Sequence, residues 1–257
     1  AWIPAVSSLS NSTWTAGLPL NTARQSLGLA SVGNVLYAVG GAGPLASMEM
    51  LDTATGGKWT LGHIPLKTAR YAFGLASIGS VLYAVGGESG GSGLPLASVE
   101  MLDTAKPGGG WTAGLSLNTA RADFGLASVG SVLYAVGGEN GGSSVLASVE
   151  MLDTAAGGNW TAGPPLNTAR AFFGLASVGS VLYAVGGWDG RSARPFTSVE
   201  MLDTATGGGW KVGAPLNIAR YAFGLASVGR VFYVVGGENG SSAPLSFTSV
   251  EVLDTTQ

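Results

Sequence analysis

Short apolar runs alternate with glycine-rich breaks along the whole chain. Ala72 to Ile78 carries Phe73, Leu75 and Ile78 among small residues, Gly79-Ser80 interrupts it, and Val81 to Val85 is a run of strand-favouring residues that stops at Gly86-Gly87. Two runs joined by a Gly-led pair predict an antiparallel hairpin with a type II′ turn. A Gly/Ser-rich loop follows. Ser98 to Asp103 then alternates Val99 and Met101 with small or acidic residues and predicts a third strand, and Trp111 to Leu115 predicts a fourth. No stretch sustains a 3.6-residue apolar period long enough for an ordinary helix, so the class is all-β.

The same phrase recurs. Gly pairs stand at Gly40-Gly41, Gly86-Gly87, Gly137-Gly138, Gly186-Gly187 and Gly236-Gly237, with Trp14, Trp59, Trp111, Trp160 and Trp210 and with Arg24, Arg70, Arg121, Arg170 and Arg220 at the same period near 50. A four-stranded sheet of this size cannot bury both faces alone, and radial stacking solves that problem. The expectation is a five-bladed β-propeller of four-stranded antiparallel blades. Trp14 to Leu20 reads as a fourth strand with nothing before it, and Ser249 to Asp254 as a third strand with nothing after it. Pairing them is expected to close the ring inside the last blade. Residues 1–13 then form an extension and 14–257 a single domain, with repeats at about 21–66, 67–117, 118–166, 167–216 and 217–254.

A Gly pair, a later Glu-X-X-Asp, a Trp about ten residues after the Glu, and an Arg before the next first strand resemble the kelch repeat, from about Trp14 to Asp254. The resemblance implies propeller blades with the Gly pair ending the second strand and the Trp opening the fourth. It also implies a rim, shared by the strand-two to strand-three loops and the positions just after each Arg, that binds protein partners. The aromatic usual before the Asp is Leu here, at Leu51, Leu102, Leu152, Leu202 and Leu253. Five copies is fewer than is common in that family, so a segment of a longer protein stays open as an alternative.

Composition narrows the chemistry. Of 257 residues 43 are Gly and only 11% are charged, with a net charge of −3 and no basic run, which excludes a nucleic-acid footprint. The apolar runs are too short for membrane insertion by helices. Cys is absent and His63 is the one His, so neither a Ser-His-Asp nor a Cys-His nucleophile can be assembled, and no metal or cofactor is expected. Asn11, Asn159 and Asn239 head candidate N-glycosylation triplets, which lean the expected compartment toward the secretory pathway or the exterior.

Arg, Glu and Asp at repeated positions account for most of the charge and are expected to tie the blades, while the Trp residues form core. Function is therefore sought where the repeats differ. The fourth loop carries Trp188, Asp189, Arg191, Arg194 and Phe196, Phe247 repeats Phe196 in the fifth, and the position two after the Arg holds Ser26, Ala72, Asp123, Phe172 and Ala222. Exposed Trp, Arg and aromatic residues are enriched at interface hot spots. The leading expectation is a non-enzymatic scaffold that offers Trp188, Asp189, Arg191, Arg194, Phe196, Phe247, Phe172 and Asp123 to a protein or glycan partner. A self-assembling structural subunit is the first alternative, and a carbohydrate-active enzyme using carboxylates such as Glu88, Glu139 and Glu238 is the second.

Overall fold

The computed structural model describes residues 17–90, 93–142, 144–192, 194–240 and 246–255. Blade one comprises β1 (Gly28–Val32), β2 (Val35–Val39), β3 (Met48–Asp52) and β4 (Thr60–Leu61). Blade two comprises β5 (Gly74–Ile78), β6 (Val81–Val85), β7 (Val99–Asp103) and β8 (Thr112–Ala113). Blade three comprises β9 (Gly125–Val129), β10 (Val132–Val136), β11 (Val149–Asp153) and β12 (Thr161–Gly163). Blade four comprises β13 (Gly174–Val178), β14 (Val181–Val185), β15 (Val199–Asp203) and β16 (Lys211–Val212), and blade five comprises β17 (Gly224–Val228), β18 (Val231–Val235) and β19 (Val250–Asp254). All pairings are antiparallel between consecutive strands, giving the expected five blades of a β-propeller.

Each blade is a meander whose first hairpin turns at a Gly with φ near +58°, the left-handed value a two-residue turn needs. The register Ala76↔Tyr83↔Met101 and Leu82↔Leu102 sorts the side chains by face. Tyr83, Val85 and Val99 point toward the following blade, where they meet Leu133, Ala135, Leu152 and Trp160. Leu82, Ala84, Leu102 and Trp111 point back onto Tyr37, Val39 and Met48. The core therefore lies in the layers between blades, and each large side chain buried there contributes about 1.5–3 kcal/mol.

Near the axis the blades come closer than side chains on both would allow. A Cβ on Gly74 would lie 2.4 Å from Leu126 Cβ and one on Gly125 2.4 Å from Leu175 Cβ, so glycine is required at these contacts. Blade-to-blade hydrogen bonds run beside them. Ala72 N–H donates to Ser26 O (3.0 Å), Asp123 to Ala72 (3.0 Å), Phe172 to Asp123 (2.9 Å) and Ala222 to Phe172 (2.8 Å).

The repeated charges tie each blade to the connector entering it. Arg121, fully buried, donates to Gly137 O (2.7 Å), Ser148 O (3.1 Å) and Glu150 Oε1 (2.9 Å). Glu150 also accepts the N–H groups of Asn118 (2.6 Å) and Thr119 (2.9 Å). The repeated Asp closes the turn after strand three, as where Ala105 N–H donates to Asp103 (3.1 Å). Trp160 and Trp210 are buried and donate to the preceding blade at Leu115 O (2.8 Å) and Pro164 O (2.9 Å).

Ring closure, expected through Trp14 to Leu20, is not made within the described residues. Trp14 to Ala16 lie outside them, Gly17 to Leu20 form no strand, and Leu18 O instead accepts Trp59 Nε1 (3.1 Å) on blade one. The innermost strands pack in the succession β1, β5, β9, β13, β17, and the Gly224 position has only its own strand partner Val235 beside it. Among the described residues β17 and β1 do not pack as each earlier pair does.

Candidate functional site

The residue after each Gly pair and the residue after each repeated Arg lie side by side at one end of the blades. Isolated bridges join Tyr71 to Glu88, Ala122 to Glu139, Ala171 to Trp188 and Tyr221 to Glu238. The next residue in each case is Ser26, Ala72, Asp123, Phe172 or Ala222, all at φ between 50° and 53°. Non-Gly residues in this region cost on the order of 1–2 kcal/mol each, and here the blade-to-blade hydrogen bonds hold them. The five residues ring the mouth of a central funnel of about 500 Å³, with Phe73, Phe124, Phe173 and Phe223 beneath. Outside the funnel the strand-two to strand-three loops overlap as a collar, Gly90 against Pro44, Gly141 against Pro95 and Gly240 against Pro195.

One sector of this rim is acidic. Burial, followed by the charges of Glu139 and Glu88, pushes the Asp123 carboxyl up to about 7. Glu139 is raised as well, first by burial and then by Glu88. Tyr71 O–H donates to Glu88, and Tyr221 O–H to Glu238 at 2.9 Å, so two of the three glutamates after Gly pairs are each held by a tyrosine.

The other sector is aromatic and cationic. Trp188 and Tyr221 stand 6.3 Å apart between ring centres, and Phe172 meets Tyr221 edge-on at 6.2 Å. Trp188, Arg194, Pro195, Tyr221 and Gly240 line a cleft of about 150 Å³ between the loops of blades four and five. Trp188 is half-buried, and its indole N–H donates to Ser192 O (2.7 Å), which holds the ring upright in its own loop. Asp189 supports that loop, accepting N–H from Arg191 (2.9 Å) and Ser192 (2.7 Å) and O–H from Ser192 (2.9 Å). Arg191 and Arg194 are exposed, Arg191 beside Thr168 and Val145 in a second cleft shared with Asp189.

Phe196 and Phe247 are half-buried. Their rings stack on the buried guanidinium groups of Arg170 (5.4 Å) and Arg220 (4.9 Å), in a position where blades two and three carry Leu96 and Leu146 with the same backbone bond to a Gly of the pair. Tyr221 and Pro195 complete the cleft, and neither is among the residues the sequence alone points to. The available signal was that Tyr follows the repeated Arg only at Tyr71 and Tyr221, both in blades where Glu follows the Gly pair. Asn159 is exposed in the turn before Trp160, Asn239 is partly buried in the collar, and Asn11 lies outside the described residues. His63 is exposed at the rim of a shallow depression between blades one and two.

No group of His, Cys, Asp and Glu among the described residues is arranged to hold a metal ion. Among the described residues no helix is long and apolar enough to cross a membrane. Among curated proteins no relative matches the chain. The family model described as the Kelch motif matches residues 69–106, 120–167, 169–207 and 219–257, more than half the chain, and its repeats fall on blades two to five. With the meander of each blade, the Gly pair that ends the second strand and the Trp that opens the fourth, the chain belongs to the kelch-repeat family.

Proposed function

We propose that the protein is a binding scaffold whose loop rim on blades three to five seats an extended segment of a protein partner. The observation that carries this reading is the cleft between Trp188, Arg194, Pro195 and Tyr221, set beside a funnel mouth with Phe172 and Asp123. Trp188 and Phe172 depart from the repeat, since the position of Trp188 holds Ala42, Glu88, Glu139 and Glu238 in the other blades and that of Phe172 holds Ser26, Ala72, Asp123 and Ala222. A rigid indole with its N–H already satisfied presents apolar area at low ordering cost, which favours an anchor residue of a partner. The acidic sector, Glu88, Asp123 and Glu139, complements a basic residue flanking that anchor. Kelch propellers generally act as binding scaffolds for proteins, which supports the coarse class.

Selection of a displayed peptide library on the immobilised protein tests the reading. Recovered peptides are expected to share an apolar anchor next to Lys or Arg and to lose at least about tenfold in affinity, 1.4 kcal/mol, to Trp188→Ala. Peptides that bind Trp188→Ala and Arg194→Ala as tightly as the parent would place the partner surface elsewhere.

A further inference from the structure

A depression of about 210 Å³ at the seam of blades one and two gathers three departures from the repeat. Met48 opens β3 where the other blades carry Val99, Val149, Val199 and Val250. His63 stands where blades two to four carry Leu115, Pro164 and Ala214. The turn after β7 holds one residue more between Asp103 and Trp111 than its counterpart between Asp153 and Trp160. Met48, Met50, His63 and the Lys106-Pro107-Gly108 turn all line the same space.

Side chains two apart on a strand share a face, so Met48 and Met50 leave β3 together. In blades two to four the sulfur at the Met50 position rests on a Gly of the fourth strand. A Cβ at Gly114 would lie 3.3 Å from Met101 Sδ, one at Gly163 3.0 Å from Met151 Sδ and one at Gly213 3.2 Å from Met201 Sδ. In blade one that seat belongs to Met48, whose Cγ, Cε and Sδ lie 2.6, 2.7 and 3.4 Å from the same point at Gly62. The Met50 sulfur is therefore displaced from its usual place, and His63 follows the very Gly on which the Met48 sulfur rests. The tryptophan of this joint registers the change. Trp160 and Trp210 donate to Leu115 O (2.8 Å) and Pro164 O (2.9 Å), whose equivalent here is His63 O, yet Trp111 Nε1–H is buried and, among the described residues, has no acceptor.

The hard donor beside this depression is already committed. Asp103 Oδ1 accepts Ser80 O–H (2.8 Å) and Ala105 N–H (3.1 Å), and its Oδ2 pairs with Lys106 at 3.3 Å. Two thioethers and one imidazole remain, all of them neutral. Mg²⁺ and Ca²⁺ require oxygen ligands, and structural Zn²⁺ sites draw on thiolates and several imidazoles. Thioether sulfur selects Cu(I), and imidazole serves copper too. We propose that the depression is a site for Cu(I), held by the sulfurs of Met48 and Met50 and the imidazole of His63. Met48, 3% exposed, supplies the rigid inner ligand, and His63, at the surface, supplies the one the ion meets first.

Anaerobic titration of the full chain with Cu(I) against bicinchoninate, a chromophoric Cu(I) chelator, reads the site. One equivalent is expected to pass from the chelator to the protein. Met48→Val and His63→Leu install the residues that blade two carries at the same positions, so both are expected to fold, and each should weaken Cu(I) binding at least about tenfold. Met101→Leu, at the blade-two copy of Met50, and Trp188→Ala, on the rim, should bind as the parent does. Ag(I), which shares the donor preference without redox chemistry, should shift the methyl resonances of Met48 and Met50 and leave those of Met101, Met151 and Met201 in place. A chain that leaves all the Cu(I) with the chelator, a Met48→Val or His63→Leu protein that binds at parental affinity, or Ag(I) shifts at the other three methionines instead would each overturn the proposal.

Discussion

Replacing Glu150 with Leu strands a charge and two backbone donors at once. Arg121 has no solvent contact, and among the described residues Glu150 is its carboxylate partner. Burial already lowers the Arg121 pKa and Glu150 holds it up, so the guanidinium stays charged and has nowhere to turn when the carboxylate goes. Breaking a buried pair from one side costs about 3–5 kcal/mol. The N–H groups of Asn118 and Thr119 lose their acceptor too, which puts the expected cost at the upper end of that range. For a chain of this size each kcal/mol moves the melting midpoint by about 2–4 °C, so a fall of about 10 °C or more is expected in a calorimetric scan of the monomer. Blade five supplies the internal control. Glu251 pairs with Arg220 at 2.9 Å, but its side chain is 12% exposed and its other donors, Asn217 and Ile218, are reachable by water. Glu251→Leu is therefore expected to cost less, because the stranded N–H groups can hydrate, although Arg220 is as buried as Arg121. Equal costs in the two blades, or a Glu150→Leu cost below about 1 kcal/mol, would refute the view that these clamps matter through burial.

The blade joints and the acidic rim give further expectations. Gly125→Ala puts a Cβ 2.4 Å from Leu175 Cβ and should cost about 1–3 kcal/mol in urea unfolding. Asp123 has a folded-state pKa raised to about 7 against an ordinary carboxyl near 4, so the native state binds the extra proton between these values. Stability from this group is complete below about pH 4 and is lost as pH rises through about 7. Asp123→Asn, which tolerates the same left-handed backbone, should flatten the stability profile over that window and stabilise the protein at pH 8. The upper bound is about 4 kcal/mol, reduced by water at the funnel mouth. An unchanged pH profile in Asp123→Asn would show that the carboxyl ionises freely despite Glu88 and Glu139.

What the sequence discloses and what it withholds divide along a physical line. Gly79, Trp160, Arg121 and Glu150 are legible because each performs a task inside one blade or one joint, and the task recurs with the residue. The period alone then assigns the role. Phe196 and Phe247 break the repeat in residue type while keeping a task inside it, since an aromatic face covers Arg170 or Arg220 where Leu96 and Leu146 fill the same place in other blades. A departure from the repeat is therefore evidence of function only when the position's task changes too. Trp188 meets that condition. Its equivalents are Ala42 and three glutamates, two of them bonded to tyrosines, and its own ring faces Tyr221 from a different blade across a cleft. That pairing depends on how two blades sit side by side, which no single repeat encodes. Ring closure is withheld for the same reason. The order of the pieces says that a third strand and a fourth strand are left over, but whether their blades meet depends on the angle added at every joint, and so on the packing of Gly against Leu four times in succession.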